Sequence, residues 1–253
     1  MDDTKTPLPE DPGSEQAPLR LQVFLAHSGI ASRRACEGLI KAGRISVNGR
    51  TVTEMGLKVL PADDIRLDGV AVQIEIQFRY LALHKPPLYI SSSSDPQGRP
   101  LAMDLLPRIR ERLYNVGRLD YRSSGLIIFT NDGGFAARVS HPSANIEKEY
   151  LVEATGPIPD SLLERFTGGL EIDGVWYRAA KAERLGRKAA RITLIEGRNR
   201  EIRRVFSYFH LHPQRLHRIR IGPVLLGSLG PGESRPLTEA ELRGLGRAGK
   251  GNL

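Results

Sequence analysis

Residues 126–130, Leu-Ile-Ile-Phe-Thr, form a short apolar run set between Ser123-Ser124-Gly125 and Asn131-Asp132-Gly133-Gly134. A run of this length, closed at both ends by turn-forming residues, reads as a strand buried in a core. Tyr150–Thr155 and Ala190–Glu196 read as further strands. Short helices alternate with them: Phe135–Ser140, Asp160–Phe166 stopped by Gly168-Gly169, and a helix from about Asn199 to Phe209. This interleaving predicts an α+β domain with a mixed, mainly antiparallel sheet.

Ahead of that domain lies a smaller unit. Leu21, Phe24 and Leu25 recur at helical spacing, and Ser28-Gly29 interrupts them. A second helix is expected from about Arg33 to Ala42, ended by Gly43. Ile45–Val52 then reads as a hairpin turned at Asn48-Gly49, a pair suited to the two positive φ angles of a type I′ turn. The second helix and its turn display Arg33, Arg34, Lys41 and Arg44. Four cations there suit either a solvated face or a binding face. Residues 1–17 are acidic, proline-containing and poor in apolar side chains, and read as a disordered tail. The glycine-rich end, residues 244–253, reads as a flexible tail. Pro86-Pro87 and Ser91–Pro100 mark a long exposed loop.

The charge is uneven. The chain carries +8 overall, but residues 1–17 carry −4, which leaves +12 on the remainder. Between Arg198 and Arg220 stand seven arginines and one glutamate. Such a local excess is the footprint of a polyanion binder, most commonly of nucleic acid, and arginine's planar fork suits phosphate. No apolar run reaches the roughly 20 residues of a membrane span, and no secretory h-region opens the chain. One cysteine, Cys36, excludes an internal disulfide framework and any cysteine-rich zinc site. It reads as a small apolar filler on a helix. These features suit a cytoplasmic protein with no membrane association, monomeric by default.

For chemistry, the best-defined helix is the one over Asn199–Phe209. Ile202, Val205, Phe206 and Phe209 form its buried stripe, while Arg200, Arg203 and Arg204 are expected on a neighbouring face near an anion-attracting helix start. Asp120, in Gly117-Arg118-Leu119-Asp120 just before the apolar run, stands beside Arg118 and Arg122. It reads equally as a solvated loop residue, an arginine partner or a reagent. Tyr121 and Tyr150 offer faces for a base to stack on, or else pack in the core. His210, His212 and His217 have poor metal-site spacing, and no phosphate loop or dinucleotide fingerprint is present. Ser123 and Ser124 have no histidine near them in sequence, so a serine triad is neither supported nor excluded. From these residues the chain is a basic nucleic-acid binder with one possible carboxylate reagent.

Two resemblances sharpen this. SGIASRRACEGLIKAGRISVNG resembles the S4-like RNA-binding domain over about residues 18–77, which implies that Arg33, Arg34, Lys41 and Arg44 face RNA. GRLDYRSSGLIIFTNDG, HPSANIEKEYLV, EGRNREIRRVF and RLHRIRIGPVLLGSLGPGESRPLTEAEL, in that order, resemble ribosomal RNA pseudouridine synthases of the RsuA/RluB type. The likeness implies a catalytic domain over 78–243 that isomerises one uridine of ribosomal RNA, free or in a pre-ribosomal particle, without cofactor or metal. The wording of DPQGRP and GRNREIRR leans to 23S rather than 16S RNA. By position, the resemblance implies Asp120 as catalytic carboxylate, Tyr150 packed on the target base, and Arg203 paired with Asp120, keeping it charged. It implies that Arg99, Arg118, Arg198, Arg200, Arg204, Arg218 and Arg220 contact RNA. Ser123 stands where relatives often carry Asn-Thr or similar. The alternative is a non-catalytic RNA-binding or ribosome-assembly module, with Asp120 merely an arginine partner.

Overall fold

The computed structural model describes residues 18–73, 77–107, 109 and 111–248. The acidic segment 1–17 and residues 249–253 lie outside the described residues. Among those described, no helix is long and apolar enough to cross a membrane. The chain divides into two units, Met1–Ile76 and Gln77–Leu253.

In the first unit, β1 (Leu19–Arg20) leads into α1 (Leu21–His27) and α2 (Arg33–Lys41). Ser32 caps α2 by accepting from the Ala35 N–H at 3.2 Å. The hairpin of β2 (Ile45–Val47) and β3 (Arg50–Val52) turns through Asn48 and Gly49 at φ 50° and 77°, as the Asn-Gly pair predicts. β4 (Lys58–Val59) pairs with β1, and β5 (Ile65–Leu67) and β6 (Val70–Ala71) complete a sheet of order β3-β2-β5-β6. Leu21, Phe24, Leu25, Cys36, Ile40, Ile45, Val59 and Ile65 form its core.

The second unit is built on one large sheet. It comprises β7 (Tyr80–Lys85), β8 (Tyr114–Val116), β9 (Ser124–Thr130) and, after α3 (Gly133–Ser140), β10 (Lys148–Ala154). Then come α4 (Asp160–Gly168) and a separate hairpin of β11 (Leu170–Ile172) and β12 (Val175–Tyr177). β13 (Lys181–Gly186), β14 (Ala189–Leu194), α5 (Glu201–Tyr208), β15 (Pro213–Ile221), β16 (Val224–Leu225), β17 (Ser234–Pro236) and α6 (Glu239–Ala248) follow. The sheet order is β13-β14-β10-β15-β9-β7-β17, with β8 on β9 and β16 on β15. Among its described strands every pairing is antiparallel except β9 with β15.

The apolar run lies in β9 and is buried on both faces. Ile127 and Phe129 join a core with Leu162 and Phe166 of α4 and Ile202, Val205 and Phe206 of α5. Leu126 and Ile128, pointing the other way, join Phe135 and Val139 of α3 and Leu245 of α6. The last of these corrects the expected tail at 244–253. Helix α6 continues to Ala248, with Leu245 buried, because Gly244 lets the helix lie against Pro223: a Cβ there would come within 2.7 Å of the proline ring. Packing overrides the poor helix propensity of glycine at that point.

The parallel pairing of β9 and β15 sets Ser124 opposite His217 and Gly125 opposite Arg218. Gly125 has φ 104°, and a Cβ built on it would lie 2.2 Å from the Arg218 carbonyl oxygen and 2.6 Å from its nitrogen. Both neighbouring atoms are backbone, so they cannot yield as a flexible side chain would. Gly125→Ala is expected to cost at least about 3 kcal/mol in urea unfolding of the second unit. Gly38→Ala, in α2 with open space around its Cβ position, is expected instead to gain about 0.5–1 kcal/mol.

Candidate active site around Asp120

Asp120 sits in the turn that feeds β9, at the wall of a cavity of about 200 Å³. The turn is held on both sides. The Ser123 N–H donates to the Asp120 carbonyl at 3.0 Å, and Ser91 Oγ donates to the Leu119 carbonyl at 3.1 Å while accepting from the Leu119 N–H at 3.2 Å. The Leu88 N–H donates to the Tyr121 carbonyl at 2.6 Å, with Leu88 itself at φ 66°. Ser91 is thus buried, although the serine run it opens reads as exposed loop.

Arg203 and Lys85 interact with the carboxylate, and Arg218 lines the same cavity. Arg203 Nε lies 3.5 Å from Asp120 Oδ2, an ion pair without hydrogen-bond geometry, and its side chain is only 11% exposed. Its other nitrogens donate to Ser123 Oγ and the Pro213 carbonyl, both at 3.2 Å, which fix the guanidinium plane. Lys85, fully buried at the end of β7, donates to the carbonyls of Pro86 at 2.8 Å and Ser123 at 2.7 Å. Burial, opposed by Asp120 and aided by Arg218, lowers its pKa to about 8. Arg218 is 4% exposed; its Nε donates to the Leu126 carbonyl at 2.7 Å, and its Nη1 reaches Tyr150 Oη at 3.4 Å. The Arg218 guanidinium lies 5.9 Å from the Tyr150 ring centroid, and Tyr150 lines the same cavity as Asp120.

The structure therefore brings Asp120, Tyr150, Arg203, Arg118, Arg198, Arg200 and Arg218 to one place. Other expectations need correction. Arg200, Arg203 and Arg204 do not share a face: Arg200 precedes α5 in a left-handed conformation, Arg203 turns inward and Arg204 is exposed. Nor does the start of α5 lie open to anions, because the first helical residue, Glu201, is buried and accepts from the Arg198 N–H at 3.1 Å. Arg218 is buried rather than offered to phosphate, and Arg220 is bound to Glu147 at 2.8 Å and Glu149 at 2.9 Å, which occupy its fork. Arg99 is bound to Asp95 at 2.6 Å and lies 5.6 Å from the Tyr121 ring centroid. In the first unit Arg33, Arg34 and Lys41 are exposed, whereas Arg44 forms an ion pair with Asp68.

Sequence reasoning missed Lys85, Lys148 and Glu201. The signal for Lys85 was a lysine ending the apolar strand Tyr80–Lys85 directly before two prolines. Lys148 and Glu201 line the cavity, and burial shifts both toward neutrality, Lys148 down to about 8 and Glu201 up to about 7. A serine does meet a histidine: Ser124 Oγ lies 2.8 Å from His217 Nδ1, across the parallel strand pair. His217 in turn packs on the His84 ring, with centroids 5.1 Å apart, so this contact stitches the sheet. Among the described residues no group of three or more His, Cys, Asp or Glu is placed to hold a metal.

A family model described as RNA pseudouridylate synthase matches residues 79–208, and an S4 domain model matches residues 19–65. The chain belongs to the RNA pseudouridine synthases, with an S4 domain ahead of the catalytic fold. It is 40% identical over 231 residues to an uncharacterized RNA pseudouridine synthase of Borreliella burgdorferi, covering 89% of this chain and 92% of that one. It is 39% identical to the ribosomal large subunit pseudouridine synthase B of Bacillus subtilis, over 89% of this chain and 95% of that one. Identity to the ribosomal small subunit pseudouridine synthase A of Pseudomonas aeruginosa is 36%, over 88% and 99%. A crystal structure of a pseudouridylate synthase matches with TM-score 0.67 and 28% identity, covering 90% of this chain and 99% of that one. The chain is an RNA-modifying isomerase, which sets aside the non-catalytic module.

Glu201 gives the site a pH signature. Its pKa lies above the ordinary glutamate value of 4.5, so below that value folded and unfolded carboxyls are both protonated and no penalty arises. Between 4.5 and about 7 the unfolded carboxyl ionises while the buried one stays protonated, so stability falls, by on the order of 3 kcal/mol once pH passes about 7. Glu201→Gln keeps a carbonyl acceptor for the Arg198 N–H but has nothing to ionise. Relative to the unsubstituted chain, its Tm is expected to be higher at pH 8 than at pH 5, as thermal scans across that range will show.

Proposed function

We propose that Asp120 is the reacting carboxylate, that Tyr150 packs on the flipped uracil and assists removal of the C5 proton, and that the substrate is ribosomal RNA, with the large-subunit RNA favoured. The observation that carries this reading is the 3.5 Å pair between Asp120 and Arg203 beside a cavity that Tyr150 also lines.

Conversion of uridine to its C-glycoside breaks the N1–C1′ bond, turns the uracil and joins C5 to C1′. The C5 proton leaves and N1 gains one, so the atoms balance with no oxidant, reductant or energy source. An ionised carboxylate serves this reaction by attacking C1′ or by removing the C2′ proton. Arg203, locked by Ser123 and Pro213, orients the Asp120 carboxylate, and Lys85 adds a second cation whose charge interacts with it. A uridine must leave its stack to reach Asp120, and a tyrosine ring backed by Arg218 offers a rigid face to receive it. Exposed Arg118, Arg198 and Arg200 at the cavity edge suit the flanking phosphates. The S4 domain carries Arg33, Arg34 and Lys41 as further RNA contacts. The large-subunit preference rests on the slightly higher identity to the Bacillus subtilis enzyme named for that subunit than to the Pseudomonas aeruginosa enzyme named for the small one.

Asp120→Asn is expected to lower pseudouridine formation at least about a thousandfold while RNA affinity stays within about threefold. The assay is pseudouridine mapping on 23S and 16S rRNA transcripts treated with each protein, with filter binding alongside. Survival of activity in Asp120→Asn removes the carboxylate from the mechanism, and a product confined to 16S RNA overturns the subunit assignment. Tyr150→Phe is expected to retain binding and lose about tenfold or more in kcat.

A further inference from the structure

The hairpin of β11 and β12 carries the chain's single tryptophan, Trp176, with 53% of its surface exposed. One side of the indole rests on Gly169, whose φ is 98°; a Cβ at that position would come within 2.4 Å of the ring carbon Cζ2. The ring is thus backed by main chain while half of it is left to water, an uncommon placement for so large an apolar group. It borders a second cavity, of about 540 Å³, together with Asn145, Arg178, Glu196, Arg198 and Glu201. The last three also line the cavity at Asp120, so the two spaces share one wall.

The chemistry of this second cavity is that of a nucleotide subsite. An indole face takes any base by stacking. Asn145 is exposed and held in the left-handed region at φ 50°, and its amide offers both a donor and an acceptor to a base edge. Arg178 is exposed, its Nε tethered to the Thr167 carbonyl at 3.1 Å, which leaves the rest of its fork for phosphate. Two acids are present: Glu196 pairs with Arg198 at 3.2 Å, and Glu201 is turned inward onto the Arg198 N–H. A solvated hairpin tip explains an exposed ring, but not a cavity lined by arginines and sharing a wall with the reaction site.

We propose that Trp176 is a stacking platform for a nucleobase neighbouring the target uridine on the same RNA strand, with Arg178 and Arg198 holding the phosphate between them. This rests on Asp120 marking the uridine site. Its role is to bind and place the substrate, so Trp176→Ala raises KM about tenfold with kcat little changed.

Because Trp176 is the only tryptophan, its fluorescence reports on the platform directly. In full-length Asp120→Asn, acrylamide quenching is measured with and without saturating 16S or 23S rRNA transcript. Bound RNA is expected to shield the indole, and unchanged quenching at saturation overturns the proposal. KM and kcat on the same transcripts are compared for Trp176→Phe and Trp176→Leu, since both keep an apolar contact with Gly169 even if Trp176→Ala unfolds. Recovery of KM by Phe but not by Leu supports stacking; equal KM in all variants refutes it. Should Asp120→Asn retain turnover, the uridine-site reading fails and the platform with it. Should only the tryptophan results fail, Asp120 is untouched.

Discussion

The catalytic unit depends on one close contact of backbone with backbone. Where β9 and β15 run parallel, Gly125 meets Arg218 so closely that no side chain fits between them. That approach carries Arg218 under β9, where its Nε reaches the Leu126 carbonyl and its plane comes against Tyr150. The same strand crossing places Ser123 where Lys85 and Arg203 both find it, one on its carbonyl and one on its hydroxyl. Asp120, three residues earlier, inherits its surroundings from this crossing. Among the described strands this is the one parallel pair of the large sheet, and the candidate site lies beside it.

Asp120 pairs with Arg203 and interacts with the charge of Lys85, Arg218 lines the same cavity, and water reaches none of the three cations freely. The Asp120 side chain is 28% exposed while its Arg203 partner is 11% exposed, so the pair is only partly screened by water. The hydrogen bonds from Arg203 to Ser123 and Pro213, and from Lys85 to Pro86 and Ser123, hold these two cations in place.

The architecture was legible where periodicity is strong. The run 126–130 reads as a buried strand, and it is one, covered on both faces; the stripe of Ile202, Val205 and Phe206 reads as a buried helix face, and it packs as one. Asn48-Gly49 reads as a hairpin turn and has the two positive φ angles it needs. Less legible was anything that depends on where a long side chain goes. Arg198–Arg220 counts as a cationic stretch, yet Arg203 and Arg218 are internal and Arg220 is spent on Glu147 and Glu149. Local composition cannot distinguish an arginine that meets RNA from one that meets a carboxylate arriving from a distant strand. Lys85 escaped notice for the same reason: its partners, Ser123 and Asp120, are remote in sequence. Helix α6 was hidden by its glycines, which matter there for what they do not carry against Pro223.

The separation of these partners has an entropic side. Lys85, Asp120, Tyr150, Arg203 and Arg218 come from β7, the turn before β9, β10, α5 and β15, and they meet only when the central sheet is complete. Contacts so distant along the chain carry a larger loop-closure entropy than local hairpins and helices do. A partly folded molecule can therefore hold its small N-terminal unit and several hairpins while lacking any version of the site. Damage that opens the central sheet therefore removes this arrangement even where the N-terminal unit stays folded.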